Sequence, residues 1–305
     1  MRTSRWRLDR REAFVTTGAL GAMAMTQMLT ADQESICRGA EPDDGVVVAT
    51  FNIRYANAGD GPDAWPHRKE DVARLLNDHR VDFAGLQEAL LTQLRDLEQL
   101  APGLARFGVG RDDGREKGEF SPILYRRDRW RVVDGRTRWL SETPEQPGSK
   151  SWDAAITRIA TRCEFERLDG GRRVVIYNTH FDHRGETARL ESAKRLRNWV
   201  AQETAPCVVM GDFNCTPREA PYQELTARDG ARPLVDSRTA SSTPPIGPDG
   251  TWNGFKAVEA GQRIDFIFTT REWEVRKHQT DDRRTAGGRF PSDHLPVIAS
   301  LALRP

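Results

Sequence analysis

The stretch Gly211-Asp212-Phe213-Asn214 carries the clearest chemical signal in the sequence. It ends the apolar run 207–210, which is typical of a buried strand, and Gly211 is expected to let the backbone turn. Side chains two positions apart lie on the same side of an extended chain. Asp212 and Asn214 are therefore predicted to point together, with Phe213 anchored the other way. A carboxylate beside an amide can hold and orient a water molecule or a hard metal ion.

Polar groups also end other apolar runs along the chain. The sequence predicts strands over 46–53, 82–87 and 172–180, and site candidates lie at or just beyond their ends: Asn52, Glu88, His180, Asp182 and His183. Asp265 lies inside a further predicted strand, 264–268, where an unpaired charge is costly. Its natural partner is a histidine, and the chain supplies His294, next to Asp293, just before the predicted last strand.

These residues need a scaffold, and the chain alternates predicted strands with predicted helices from Val46 onward. Helices are expected over 69–80, 91–100 and 186–203 because apolar residues recur there at helical spacing. Further strands are expected at 120–125 and 297–303, with a strand pair at 130–140. Open α/β sheets bind ligands at the carboxyl ends of their strands. The candidate residues are therefore expected to meet at one edge of the sheet structure.

Composition indicates a soluble globular protein. The 305 residues are 37% hydrophobic and 30% charged, and the formal net charge is +1. A chain this close to neutral has no broad basic field with which to grip nucleic acid indiscriminately. The four cysteines show no CxxC pair and no disulfide-like spacing, which favours buried thiols.

The first 44 residues are predicted to be an export leader and linker. Five arginines precede a mildly apolar stretch, 13–29, which is too short and too polar to span a bilayer well. The pair Arg10-Arg11 followed by Phe14 resembles a twin-arginine signal, although Phe14 stands one position late and Asp9 precedes the pair. This leader predicts export to the periplasm or the medium; without a functional leader the protein is expected in the cytoplasm. Residues 45–305 are predicted to form the catalytic domain.

The candidate groups together point to one class of reaction. Oxygen-rich ligands suit Mg²⁺ or Mn²⁺, whereas zinc prefers more nitrogen or sulfur. Two histidines beside such a site can donate to phosphate oxygens and stabilise developing charge. The residues therefore favour metal-assisted hydrolysis of a phosphate ester.

The sequence resembles the endonuclease/exonuclease/phosphatase superfamily, whose fold is that of DNase I. The resemblance rests on six fragments in family order, which together extend from about Val46 to Leu303: FNIRY (51–55), LQE (86–88), NTHFDH (178–183), GDFN (211–214), RIDFI (263–267) and SDHLPV (292–297). It implies a four-layer α/β/β/α sandwich of two mixed β-sheets with flanking helices. The fragments SPILY (121–125), WLSETP (139–144) and DHRG (182–185) are most similar to a bacterial group of metal-dependent hydrolases.

The resemblance also implies a role for each candidate. Glu88 resembles the metal-binding glutamate, with Asn52 and Asp293 assisting. Asp212 resembles the residue that orients or deprotonates the attacking water, and Asn214 holds that water and the phosphate. In the same comparison His180 and His294 contact the scissile phosphate, Asp265 orients a histidine, and Tyr125 lies on the phosphate or leaving-group side.

Three further candidates concern substrate choice. Arg158, His183 and Arg184 are predicted to bind a second anionic group or a sugar group of the substrate, because they stand beside the His180 strand. The primary hypothesis is a Mg²⁺- or Mn²⁺-dependent phosphodiesterase or phosphatase, acting as a monomer without integral membrane association. The alternative is a nuclease, either a DNase-type endonuclease or a 3′-to-5′ exonuclease, for which the arginines of 126–138 could form a local basic wall. A non-catalytic binding module would show gaps in the catalytic set, and the sequence shows none.

Overall fold

The computed structural model describes residues 45–304; the predicted leader and linker lie outside the described residues. In chain order the strands are β1 (Val46–Asn52), β2 (Phe83–Gln87), β3 (Leu104–Phe107), β4 (Ile123–Arg126), β5 (Trp130–Trp139), β6 (Ile159–Arg167), β7 (Arg173–His180), β8 (Cys207–Asp212), β9 (Val235–Asp236), β10 (Asp265–Thr269), β11 (Trp273–Thr280) and β12 (Val297–Leu303). The α-helices are α1 (Lys69–Asp78), α2 (Leu91–Leu100), α3 (Glu186–Ala201), α4 (Ala220–Thr226) and α5 (Ser237–Ala240). Two short 3₁₀ helices, Ala58–Asp63 and Trp65–His67, precede α1.

The strands form two mixed sheets of six strands each. The first sheet has the order β11-β12-β1-β2-β4-β3, and the second has the order β5-β6-β7-β8-β10-β9. Each sheet has one central parallel pair, β1 with β2 and β7 with β8, and its other pairs are antiparallel. The β8–β10 pair then places the start of β10 beside the end of β8.

Three buried apolar layers confirm the predicted α/β/β/α sandwich. Strand β1 shows how they arise, because successive side chains point to opposite faces. Phe51 packs with α1 and α2 in the first layer, whereas Val48 packs between the sheets with Ile176 and Val208. The third layer lies between the second sheet and the helices α3 and α4. Burial on both faces explains why β1, β2 and β8 are continuous apolar runs.

Buried amides join the two sheets beneath the candidate site. Gln87 Nε2 donates to Asn178 Oδ1 at 2.6 Å, and Asn178 Nδ2 donates to the carbonyl oxygens of Leu86 and Pro122, each at 2.8 Å. Gly85 makes room for this contact, because a Cβ there would lie 2.5 Å from Asn178 Oδ1. These buried hydrogen bonds between strands of different sheets help to fix the relative register of the sheets.

Several local predictions differ from the structure. Residues 130–140 form one strand, β5, rather than the predicted pair. Gly135 lies inside that strand, where a Cβ would lie 2.4 Å from the Phe107 ring. Strands β3, β9 and β11 were not predicted, since they are short or strongly polar in alternation.

Two further sequence predictions concern the thiols and the membrane. Cys163, Cys207 and Cys215 are buried and free, as predicted, and Cys37 lies outside the described residues. None of the helices within 45–304 has the length and apolar character needed to cross a membrane.

Candidate active site

The register of the second sheet lines up three predicted site residues. Parallel pairing of β7 with β8 sets His180 beside Asp212, and antiparallel pairing of β8 with β10 sets Asp265 on the other side of Asp212. All three are buried, and His180 Nε2 lies 3.4 Å from Asp212 Oδ2. Two carboxylates directly opposite each other repel, so this row needs a cation or a shared proton.

His294 meets part of that need. Its Nδ1 lies 2.9 Å from Asp265 Oδ2, and its Nε2 lies 3.8 Å from Asp212 Oδ2. The predicted pairing of Asp265 with a histidine is therefore present. Thr251 Oγ1 also donates to Asp265 Oδ2 at 2.6 Å, which fixes the carboxylate that orients the imidazole.

The first sheet contributes Asn52 and Glu88 from the ends of its parallel strands. Asn52 Nδ2 donates to Glu88 Oε1 at 3.1 Å and to Asp212 Oδ2 at 3.0 Å, so one amide links the two sheets. Asn52 Oδ1 accepts from the backbone N–H of Arg54. In this arrangement Asn52 bridges the carboxylates through its NH₂ group, whereas the predicted metal ligand would use its oxygen.

Asp293 lies on the same side of the site as Glu88. Its carboxylate is 3.9 Å from Arg54 Nε, and burial, opposed by the charge of His294 and reinforced by that of Glu88, raises its pKa. Arg68 holds the backbone of this region, because its buried guanidinium donates to the carbonyl oxygens of Ile53, Arg54 and Pro291. One cation thus joins the segments that follow Asn52 and precede Asp293.

Three non-glycine residues around the site have left-handed backbone conformations. The φ angles are +54° for Arg54, +59° for Glu88 and +46° for Asn214, and each residue lies just after a strand end. Such conformations cost free energy and persist where the surrounding structure holds them, which occurs most often at functional sites. At these strand ends they turn the chain sharply while keeping the polar side chains near one another.

The turn predicted at Gly211 lies later in the chain. Gly211 remains within β8, and a Cβ there would lie 2.2 Å from the carbonyl oxygen of Thr179, so close approach of β7 is what requires a glycine. The chain turns at Asn214, whose backbone N–H donates to Asp212 Oδ1 at 2.9 Å. Asn214 Nδ2 donates to the carbonyl of Phe181 at 3.0 Å, and Phe213 packs in the third apolar layer as predicted.

The buried charges give the two imidazoles opposite character. Burial, together with the charge of Asp265, raises the pKa of Asp212 to about 7. Burial acts to lower the pKa of His294, but the charges of Asp265 and Asp212 outweigh it and hold this pKa well above its ordinary value. Burial and the charge of Arg158 hold the pKa of His180 well below its ordinary value. At neutral pH His294 is therefore a cation and His180 is neutral.

Two donor sets at the site can be compared as cation ligands. Within residues 45–304, ligand atoms of Asp212, Asp265 and His294 lie within 4.8 Å of one another. Protonated His294 has no lone pair to offer, and its Nδ1 already bonds to Asp265. The carboxylates of Glu88 and Asp293 form an oxygen-only set, which is the kind that Mg²⁺ and Mn²⁺ prefer. The chemistry of the donors therefore favours the second set.

The candidates for substrate choice separate into a buried and an exposed part. Arg158 is only 5% exposed, and its Nη2 lies 3.3 Å from His183 Nδ1. Glu119, which the sequence did not single out, has its Oε2 4.0 Å from Arg158 Nη1 and 2.7 Å from Arg111 Nη1. His183 and Arg184 are exposed, and the backbone N–H of Arg184 donates to Asp182 Oδ1. The structure thus brings Arg158 and His183 together and adds Arg111 and Glu119.

Tyr125 is the one predicted site residue that the structure places elsewhere. Strand β4 runs antiparallel to β2, so Tyr125 lies opposite Phe83, five residues before Glu88 and roughly 16 Å away along the strand. Its ring packs against Phe165 in the layer between the sheets. The apolar surroundings of a core position, rather than a phosphate, explain this tyrosine.

Sequence reasoning missed several supporting residues. Thr251 stands in an irregular segment, and only its contact with Asp265 reveals its place in the site. Arg68 and Glu119 are isolated charged residues without a motif. A buried charged residue cannot be distinguished from an exposed one by sequence spacing alone, so no local signal could have selected them.

Two facing mixed sheets with an acid–imidazole cluster at their strand ends define the class of proteins that share the DNase I-like fold. The model of the Endonuclease/Exonuclease/phosphatase family matches residues 49–294, and the chain belongs to this family. Members of the family are hydrolases that act on phosphoester bonds.

Solved structures agree with this assignment. An endonuclease/exonuclease/phosphatase from Bacteroides vulgatus is 37% identical with a TM-score of 0.81, over 85% of this chain and 99% of that one. A protein of Bacteroides thetaiotaomicron named as a mannosyl-6-phosphatase is 35% identical with a TM-score of 0.78, over 85% of this chain and 100% of that one. Human nocturnin is 26% identical over 163 residues, which are 48% of this chain; the match spans 37% of nocturnin's length.

Proposed function

We propose that this protein is a divalent-metal-dependent phosphoesterase that hydrolyses a phosphate ester by in-line attack of a water molecule activated by Asp212. The observation that carries the proposal is the convergence on Asp212 Oδ2, which lies 3.0 Å from Asn52 Nδ2, 3.4 Å from His180 Nε2 and 3.8 Å from His294 Nε2. Three distant chain segments thus surround one carboxylate oxygen of a fourth.

Glu88 and Asp293 are the proposed ligands of Mg²⁺ or Mn²⁺, with Asn52 assisting if its amide turns its oxygen toward them. When bound there, the cation would polarise the phosphoryl group and neutralise charge that develops on its oxygens. The electrostatics of the site fit such an ion, because burial and the charge of Glu88 raise the pKa of Asp293, and a cation bound there would relieve both.

Asp212 is suited to proton abstraction because its pKa, raised to about 7 by burial and by Asp265, matches neutral solution. Asn214 bonds to the other oxygen of this carboxylate and limits its rotation. His294, held by Asp265, presents a positive charge, and neutral His180 presents a hydrogen-bonding imidazole. Both can stabilise the phosphoryl oxygens as negative charge builds there.

A small phosphate ester is the substrate we favour. The similarity to a mannosyl-6-phosphatase over 85% of the chain supports this choice. The nuclease alternative needed a basic wall at 126–138, but arginines of this segment are paired with carboxylates. The pairs are Arg126–Asp128, Arg129–Asp82, Arg131–Glu166, Arg136–Asp134 and Arg138–Glu145. Paired arginines attract a phosphate backbone weakly, since the nearby carboxylates offset their charge.

The test measures phosphate or alcohol release from para-nitrophenyl phosphate and bis(para-nitrophenyl) phosphate, beside a nuclease gel with single- and double-stranded DNA and RNA. Each assay is run with Mg²⁺, with Mn²⁺ and with chelator. We expect hydrolysis of at least one nitrophenyl ester that chelator abolishes and that Asp212→Asn removes. Cleavage of nucleic acid alone would favour the nuclease, and no metal-dependent cleavage in any assay would favour a binding module.

Export is a separate proposal that rests on the arginine-rich leader in the sequence. A mass measurement of the amino terminus of protein recovered from the periplasm or medium tests it. A mature terminus between about residue 24 and residue 45 supports export; intact leader on protein found only in the cytoplasm contradicts it.

A further inference from the structure

A chain of charged and polar side chains borders the catalytic residues in the second sheet. Arg111 pairs with Glu119 at 2.7 Å, Glu119 approaches Arg158 at 4.0 Å, and Arg158 contacts His183 at 3.3 Å. We call Arg111, Glu119 and Arg158 the Arg–Glu–Arg cluster. Arg111 and Glu119 lie in the loop before β4, and Arg158 directly precedes β6. None of the three belongs to the row formed by His180, Asp212 and Asp265.

The cluster lies close enough to the catalytic centre to act on it electrostatically. Pairing of Ala160 with Thr179 sets Arg158 beside the end of β7, where His180 lies. The bridge between Ala89 and Phe120 likewise brings Glu119 near Glu88. In agreement with this placement, the charges of Arg158 and Arg111 contribute to lowering the pKa of His180. The cluster therefore neighbours one residue of the proposed site from each sheet, His180 and Glu88. A phosphate ester bound at His180 would extend its alcohol portion toward these side chains or away from them.

Two features indicate that the cluster meets a ligand. The Arg158 side chain is 5% exposed, yet its Nε has no hydrogen-bond partner among the described residues. The nearest carboxylate oxygen, Asp182 Oδ2, lies 3.9 Å away, beyond hydrogen-bond distance, and buried guanidinium nitrogens normally have a partner. The side chains of Arg111 and Glu119 retain 15% and 18% exposure, and their polar ends can therefore be reached from solvent.

The charges of the cluster and of its neighbour Asp182 cancel. Glu119 and Asp182, whose Oδ2 lies 3.9 Å from Arg158 Nε, balance the two guanidinium groups. Burial and the charge of Arg158 lower the pKa of His183, so that ring is neutral. A site for a second phosphate would present arginines without a carboxylate between them. Here a carboxylate that only accepts stands between groups that only donate.

We propose that the Arg–Glu–Arg cluster binds uncharged hydroxyl groups of the alcohol portion, so that the substrates are phosphate esters of sugars or other polyols without a second anionic group nearby. A hydroxyl both donates and accepts, and therefore fits Glu119 and an arginine at once. A second phosphate or a polynucleotide backbone would be repelled by Glu119. This inference rests on the proposed phosphoesterase activity and adds its substrate class.

The experiment compares three kinds of ester in one protein: a panel of hexose, pentose and polyol monophosphates, a hexose bisphosphate, and phenyl phosphate, which has no hydroxyl groups. Glu119→Gln keeps the size of the side chain and removes its charge. We expect its kcat/KM for the best polyol ester to fall roughly 10-fold, mainly through KM, while phenyl phosphate changes less than about two-fold. Its discrimination against the bisphosphate should also weaken.

Glu98→Gln is the matched control, because Glu98, on the outer helix α2, forms a comparable pair with Arg106. Glu98→Gln should leave kcat/KM unchanged for all three kinds of ester. Glu119→Asp should restore part of the selectivity that Glu119→Gln loses. Equal losses on phenyl phosphate and on the polyol ester would show that Glu119 only supports the fold and would overturn the inference. So would a wild-type preference for the bisphosphate. Absence of metal-dependent hydrolysis of every ester would instead reject the proposed function itself.

Discussion

Two buried aspartates at opposite ends of the sheets show how the same side chain can serve different purposes. Asp82, just before β2, accepts from the Val47 N–H at 2.9 Å and from Trp130 Nε1 at 3.0 Å, and it pairs with Arg129 at 2.9 Å. Asp212, at the end of β8, accepts from Asn52 and Asn214, and the cation near it, His294, is shared with Asp265.

The difference lies in what compensates the charge. Burial raises the pKa of Asp82, but a permanent cation and fixed donors oppose that shift. Asp212 stands beside another carboxylate and two imidazoles, all of which can exchange protons. Within residues 45–304 no permanent cation holds Asp212 in one protonation state, and carboxylates with perturbed protonation equilibria of this kind are common at reactive sites. The comparison predicts that substitutions at the Asp82 end affect stability, whereas substitutions at the Asp212 end affect turnover.

The largest effect is expected for Asp212→Asn. The amide keeps the shape of the side chain but cannot accept a proton from water, so kcat should fall about 10³-fold. Stability at pH 7, measured by urea unfolding in chelator, should stay level or rise. The sign follows from the pKa of Asp212, which is about 7 in the folded protein and ordinarily 3.8. Between these pH values the unfolded chain is ionised more readily than the folded protein, so the free energy of unfolding falls as pH rises. A clear loss of stability with kcat intact would reverse the roles assigned to the two aspartates.

Asp82→Asn provides the counterpart at the other end of the sheet. It leaves Arg129 without its buried partner and turns an NH₂ group toward an N–H donor, so the free energy of unfolding should fall by about 3 kcal/mol. The kcat per folded molecule, measured well below the melting temperature, should match that of the wild type. A kcat loss comparable to that of Asp212→Asn would mean that the two ends are not functionally separate.

A smaller effect, on metal affinity, separates the two donor sets within the site. Glu88→Gln removes one charged oxygen, and the Kd for Mg²⁺ from calorimetry should rise at least about 10-fold. Asp265→Asn should lower kcat and leave that Kd nearly unchanged, because Asp265 is assigned to His294 rather than to the ion. The opposite pattern would move the ion to the Asp212, Asp265 and His294 set. Glu98→Gln again serves as the unaffected control.

The sequence could predict most of this site because its residues stand at the ends of apolar runs. Asn52, Glu88 and Asp212 stand at the ends of strands whose continuous apolar character marks double-sided burial. His180 ends the neighbouring strand β7, and strand ends on one edge must meet. The pairing of Asp265 with His294 followed from the cost of burying a charge alone. These inferences depend on local pattern and on one general rule about sheets.

The rest depended on register, which the sequence does not contain. Tyr125 was misplaced because the antiparallel direction of β4 carries it away from Glu88, and nothing within its own strand indicates that direction. The contacts of Arg68, Thr251 and Glu119 join segments far apart in the chain. The relative orientation of Asn52's oxygen and nitrogen likewise follows from the neighbours it meets across two sheets. Such features emerge only when the layers are packed.

The smallest expected effects test the comparison at the level of single hydrogen bonds. Thr251→Val removes the donor to Asp265 while preserving side-chain shape, and Trp130→Phe removes a donor to Asp82. Each change should lower the free energy of unfolding by about 1–2 kcal/mol or more, because each leaves a buried carboxylate with one partner fewer. Thr251→Val also removes the acceptor of the backbone N–H groups of Ile264 and Asp265. The effects on turnover should nevertheless differ.

Turnover is the deciding measurement for this pair. Loss of the Thr251 hydroxyl frees Asp265 to rotate, so His294 should be held less firmly and kcat should fall roughly five-fold, a cost of about 1 kcal/mol at the barrier. Thr251→Ser keeps the hydroxyl and should recover most of that loss. Trp130→Phe should leave kcat unchanged, since Arg129 and the Val47 N–H still hold Asp82 far from the reacting groups. Equal kcat for the valine and phenylalanine variants would show that Thr251 contributes only to the fold and that His294 is positioned by Asp265 without its help.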